Sequence, residues 1–96
     1  MYRPLLDCLT VKPSEIDGLG LFASKDIPAG ADLGISHYFI LGELIRTPLG
    51  GFYNHSDTDA NCFTDVRRGC VHLMTKRSIV AGEELTAFYK INPLKK

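Results

Sequence analysis

The sequence predicts a mainly β protein with little helix, and three observations carry that prediction. Short apolar segments such as "LFA", "HYFILG", "VHLMT" and "LTAFY" are separated by Gly, Pro, Asp and Ser, the spacing of short strands and turns. The stretch with most helical character, Phe39 to Arg46, contains Gly42 and reads as a strand or a single turn. Third, a turn motif repeats. "SKDIPAGADLG" and "TKRSIVAGEELT" align Ile27 with Ile79, Gly30 with Gly82 and Leu33 with Leu85, a constant offset of 52. Each copy reads as a hairpin-like unit: strand, tight turn with a glycine available for positive φ, then an acidic residue leading into another strand. Two ordinary hairpins sharing one turn chemistry would give the same pattern.

At 96 residues and 45% hydrophobic content, the chain is expected to form one domain spanning 1–96. Lys plus Arg and Asp plus Glu number 11 each, and neither sign forms a block. That balance speaks against a nucleic-acid or membrane-surface partner. No apolar run reaches the ~18 residues of a membrane span. "MYRPLLDCLTV" is broken by Arg3, Pro4 and Asp7, so a soluble, intracellular protein is expected. Cys8, Cys62 and Cys70 are odd in number, which argues for a reducing compartment over a disulfide framework.

Three motifs carry chemistry. In "DGLGLFA" (17–23), Gly18 and Gly20 flank Leu19 and let backbone approach a neighbour closely, but the third glycine of a dinucleotide fingerprint and the Lys-Ser/Thr of a phosphate loop are missing. "GGFYNHSD" (50–57) sets Asn54, His55 and Ser56 on a turn. Ser56 is placed to lock that turn through a hydrogen bond to backbone. In "AGEELTAFY" (81–89), alternation puts Leu85, Ala87 and Tyr89 on one strand face and Thr86 and Phe88 on the other.

Each motif has a plainer explanation. Asn54-His55-Ser56 is formally a glycosylation sequon, and it also suits a turn asparagine beside a structural histidine. A zinc site built from His55, Cys62, Cys70 and His72 has spacings of no common type, so no metal is expected. Tyr89 could simply pack in a strand.

In their order, "GLGLFASKDIPAG" (18–30), "GFYNHSDTDANC" (51–62) and "RSIVAGEELTAFY" (77–89) resemble the SET-domain family of protein lysine methyltransferases. The resemblance implies a β-clip-like fold of several small sheets, with the C-terminal segment crossing the Asn-His-Ser segment as a pseudoknot. It implies S-adenosylmethionine as cofactor, held by backbone at Leu19 and Gly20 and by Asn54 and His55, with Tyr89 beside the transferred methyl group. Tyr38 and Tyr53 are the candidates for lining a lysine channel, and His37 falls where the family often places its substrate edge. Glu83 and Glu84 read as a solvated strand entry with one local charge pair, to Arg77.

The match is to a minimal member. The segment before Asn54 is short, the sequence ends soon after Tyr89 with no cysteine-rich zinc module, and "SDTDANC" carries Ala60-Asn61 where Pro-Asn is usual. One wall of the channel is then unaccounted for, which leads to the expectation of a homodimer or of a substrate that completes it. The substrate expected is a protein presenting a lysine. The competing class is a SET-like or β-clip module that keeps the fold and binds a peptide or small ligand without catalysis.

Overall fold

The computed structural model describes residues 5–56 and 59–87, which form eight strands and one short 3-10 turn at Leu49–Gly51. The strands are β1 (Leu9–Pro13), β2 (Leu19–Ala23), β3 (Asp32–Ile40), β4 (Glu43–Arg46), β5 (Asn54–His55), β6 (Cys62–Arg67), β7 (Cys70–Thr75) and β8 (Glu84–Ala87). The predicted β class is correct. Strands β1 and β6 were not singled out in the sequence, because their polar and charged residues hide any apolar run.

Pairing runs β1-β2-β8-β6-β7-β3-β4, with β5 attached to β8. Two links in that path are thin among the described residues: β2 meets β8 at Leu21↔Leu85 and Phe22↔Glu84, and β6 meets β8 at Cys62↔Ala87. The array therefore divides into a β1–β2 ribbon, a β5–β8 crossing and a β6–β7–β3–β4 sheet, the several small sheets that were expected.

Phe39 to Arg46 resolves as a hairpin. Leu41 (φ 51°) and Gly42 (φ 81°) join β3 to β4, and Arg68 (φ 48°) and Gly69 (φ 78°) join β6 to β7. Positive φ at both central residues is the primed turn whose twist matches that of the flanking strands.

The repeated motif is not a pair of hairpins. The strands flanking each turn do not pair with each other: β2 pairs with β1 and β8, and β7 pairs with β3 and β6. Instead the two copies clasp one another. Ile27 and Ile79 exchange N–H···O bonds of 2.7 and 2.8 Å. Ala23 donates to Glu83 O and accepts from Gly82 N–H, while Thr75, 52 residues on, donates to Ala31 O and accepts from Gly30 N–H. The same residues in each copy make the same bonds to the other, a local two-fold relation, and the positive φ of Gly30 (78°) and Gly82 (95°) shapes both turns.

The core lies where these elements converge. Leu21, Leu73 and Leu85 are wholly buried, Ile27 and Ile79 nearly so, each burial contributing about 1.5–3 kcal/mol. In β8, Leu85, Thr86 and Ala87 are all buried, so both faces of the strand that alternation predicts are covered, while β2 pairs along one edge and β5 and β6 along the other.

Candidate functional site

Three segments far apart in sequence meet at one carboxylate. Ser14 opens the β1–β2 loop, donating its N–H to Gly18 O (2.8 Å) and accepting at Oγ from Ile16 N–H (2.9 Å). Asn54 begins β5, which runs parallel to β8 with Asn54 opposite Thr86 and His55 opposite Ala87. Glu84 begins β8. Ser14 Oγ–H donates to the Glu84 carboxylate, 2.8 Å to Oε2 and 2.9 Å to Oε1. Asn54 Nδ2 donates to Glu84 Oε2 (2.8 Å) and to the Asp17 carbonyl (3.3 Å), and lies 3.1 Å from Ser14 Oγ.

Glu84 is therefore not the solvated strand entry expected of it. The half-buried carboxylate belongs to the same junction as Asn54 and has no ion-pair partner among the described residues. Glu83 does behave as expected: it pairs with Arg77 at 2.8 Å, and this bond with that from Val80 N–H holds its carboxyl below the usual range.

Gly20 is buried beneath the junction. A Cβ there would overlap the Glu84 carboxylate and come within 2.9 Å of Ser14 Cβ, so the second glycine of "GLG" makes room for a side chain of the protein itself. Leu19, beside it, is 54% exposed and gives the site an apolar flank.

The predicted site residues thus separate into groups. Gly20 and Asn54 meet at Glu84; Leu19 and His55 are their exposed neighbours in β2 and β5. Tyr53 is half-buried and packs on the core. Tyr38 lines a different concavity, a groove of about 820 Å³ bounded by Asp32, Ile45, Arg46, Leu49 and His72, into which none of Leu19, Gly20, Tyr53, Asn54 or His55 opens. Tyr89 lies outside the described residues. His37 is not at an open edge: it is 1% exposed, its Nδ1 2.9 Å from Ser36 Oγ, and burial with the Arg46 charge nearby lowers its pKa.

Ser56 does lock its turn, accepting from Asp59 N–H at 3.2 Å, while its own N–H donates to Ala87 O. The four residues weighed for zinc are dispersed. His72 bonds Asp32 at 3.1 Å, Cys62 is buried in the core, and no three His, Cys, Asp or Glu among the described residues gather as a metal site.

The sequence marks Asn61 only as part of Ala60-Asn61 and assigns it no role. Its side chain is buried, Nδ2 donating to Glu84 O (2.8 Å) and Oδ1 accepting from Thr86 N–H (2.9 Å). A side-chain amide thus imitates a neighbouring strand where β6 has not yet reached β8. The usable signal was an Asn directly before an apolar strand start.

These residues suit a cationic ligand with polar ends. The Asn54 amide oxygen takes no bond among the described residues, and the Glu84 charge is balanced there only by hydrogen-bond donors. An acceptor and an uncompensated carboxylate fit the ammonium and sulfonium of S-adenosylmethionine. Among the described residues no helix is long and apolar enough to cross a membrane.

Residues 38–90 match the family model described as SET domain, a segment holding Asn54, Asn61, Glu84 and Tyr89. No curated protein matches the sequence. Among solved structures, the methyltransferase domain of human PR domain-containing protein 2 is similar at a TM-score of 0.74 and 19% identity, over 94% of this chain and 83% of that one. A candidate histone methyltransferase of Plasmodium falciparum is similar at 0.73 and 18%, over 94% and 99%. At those identities the likeness speaks to the fold, and the family match spans more than half the sequence. The chain belongs to the SET domain family, whose fold it shares with methyltransferases.

Proposed function

We propose that the chain is an S-adenosylmethionine-dependent methyltransferase acting on the side-chain amine of a lysine in a protein substrate. The observation that supports this most is the Ser14–Asn54–Glu84 junction, with Asn54 and Glu84 inside the family-matched segment, where among the described residues the Asn54 oxygen takes no bond and the Glu84 carboxylate has no ion-pair partner. In this reading the backbone at Leu19 and Gly20, the Asn54 amide and the backbone of His55 hold the cofactor. Tyr89 is assigned its place beside the methyl group by resemblance alone.

S-adenosylmethionine supplies, when bound, an electrophilic methyl on a positively charged sulfur. The chain's task is alignment and desolvation. A lysine of pKa ~10.4 must shed its proton to attack, and an apolar channel close to a positive charge favours the neutral amine. Alignment of amine, methyl and sulfur lowers the barrier by several kcal/mol. Tyr53, adjacent to Asn54, is the better placed channel residue; Tyr38 serves only if the substrate also occupies the separate groove.

The partners follow as proposals: a protein presenting a lysine, and a second copy of the chain closing the channel wall. The apolar hairpin bearing Ile40, Leu41, Leu44 and Ile45, each at least 36% exposed, supports a protein contact there. A monomer with full activity at nanomolar concentration in sedimentation would remove the second copy from this reading.

The deciding experiment is calorimetric titration of S-adenosylmethionine and of its demethylated product into wild type and Asn54→Ala. Binding near micromolar strength, about −8 kcal/mol, that weakens at least about tenfold in the variant supports the assignment. A peptide-array transfer assay then identifies the lysine. If wild type takes up neither ligand, either the chain alone lacks the partner that completes its site or it is a binding module of SET fold.

A further inference from the structure

We infer that Glu84, seconded by Ser14, is a positioning residue that fixes the Asn54 amide with its oxygen turned toward the cofactor's cationic end. The inference rests on the cofactor reading above.

Chemistry fixes the amide's orientation. The groups around its nitrogen are the Glu84 carboxylate at 2.8 Å, the Asp17 carbonyl at 3.3 Å and the Ser14 hydroxyl at 3.1 Å. A carboxylate and a carbonyl only accept, so an inverted Asn54 would set oxygen against oxygen. The nitrogen must face Glu84, and the oxygen must point away from it. The bond that holds this orientation is charge-assisted, the stronger kind. Ser14 cannot set it alone, because a hydroxyl rotates to donate or accept as its neighbours require. In this junction Ser14 gives its proton to Glu84 and receives that of Ile16 N–H.

The same carboxylate also occupies the space left by Gly20. One side chain on β8 thereby sets both the amide on β5 and the height of the backbone at Leu19 and Gly20 in β2.

Glu84→Gln tests this, because it keeps the shape but adds an amide donor that welcomes the inverted Asn54. Affinity for the demethylated cofactor product, measured by calorimetry, is expected to fall at least about tenfold, with the melting temperature within about 5 °C of wild type. Ser14→Ala is expected to weaken binding less, about threefold. Combining Glu84→Gln with Asn54→Asp reverses donor and acceptor across the pair and still presents an oxygen to the ligand, but it also sets a carboxylate oxygen against the Asp17 carbonyl, so it is expected to recover only part of the affinity lost in Glu84→Gln. A Glu84→Gln protein that melts lower yet binds as wild type does at 15 °C would reduce Glu84 to a structural residue and overturn the inference. Binding lost in Glu84→Gln that the double variant fails to recover even in part would overturn it too. Absence of binding by wild type itself defeats the cofactor reading and this role with it, an outcome distinct from both.

Discussion

Gly50 needs no positive φ, yet only glycine fits there. A Cβ would overlap the Ser36 carbonyl and lie 3.1 Å from His37 Cε1, because the 3-10 turn packs directly onto β3. Thr47 fastens the same contact, its Oγ1 donating to Ile35 O at 2.7 Å. Gly50→Ala is expected to cost about 2 kcal/mol, a fall in melting temperature on the order of 10 °C, read by thermal denaturation. An unchanged melt would mean the turn yields without loss. Cys62 gives a second residue-scale test. Burial pushes its thiol up to about 12, so the thiolate that reacts with alkylating agents is scarce. Mass spectrometry after iodoacetamide treatment at pH 8 is expected to find Cys62 unmodified in the native protein and modified in denaturant.

At the scale of elements, β8 owes its position to side chains as much as to strand pairing. Asn61→Ala strands the Glu84 carbonyl and the buried Thr86 N–H, for an expected loss of about 3 kcal/mol in chemical denaturation. Asn61→Asp should recover the Thr86 bond but not the Glu84 one. The β3–β4 turn errs in the opposite direction: Leu41 is 98% exposed at φ 51°, where asparagine is at ease and leucine is strained. Leu41→Asn is therefore expected to stabilise the protein by about 0.5–1 kcal/mol, visible as a raised denaturation midpoint. The repeat shows how far local pattern reaches. Gly30 and Gly82 announce two related turns, and both exist. Which strands those turns join is a matter of long-range pairing, so hairpins were expected where a mutual clasp forms.

For the whole molecule, the three groups whose pKa is lowered, His37, Glu83 and Asp32, agree in sign. His37 has its pKa lowered below 6.5 by burial, so its contribution is complete above that pH and is lost as pH falls below it. Glu83 is lowered by Arg77 and Val80 N–H. Asp32 is lowered because Gly34 N–H, His72 and Arg67 together outweigh burial. Both contribute above the ordinary carboxylate range and lose that contribution as pH falls through their lowered values. Melting temperature is expected to decline from pH 7 to 5, with a slope of no more than about 1.4 kcal/mol per pH unit from His37, and His37→Gln is expected to flatten that part of the curve. A wild-type profile flat across this range would show that His37 titrates alike in both states.

By itself the sequence determined the β class, the turn glycines, the Arg77–Glu83 pair, the Ser56 lock and the family, all of which depend on neighbours close along the chain or on residue types in a fixed order. Tertiary structure alone decided that Gly20 accommodates Glu84, that Asn61 braces β8, that His37 is buried and that Tyr38 opens into a separate groove. Those contacts join residues 23 to 70 positions apart or depend on which strands become neighbours, and nothing in a local pattern of polar and apolar residues encodes which distant side chain will fill a given space.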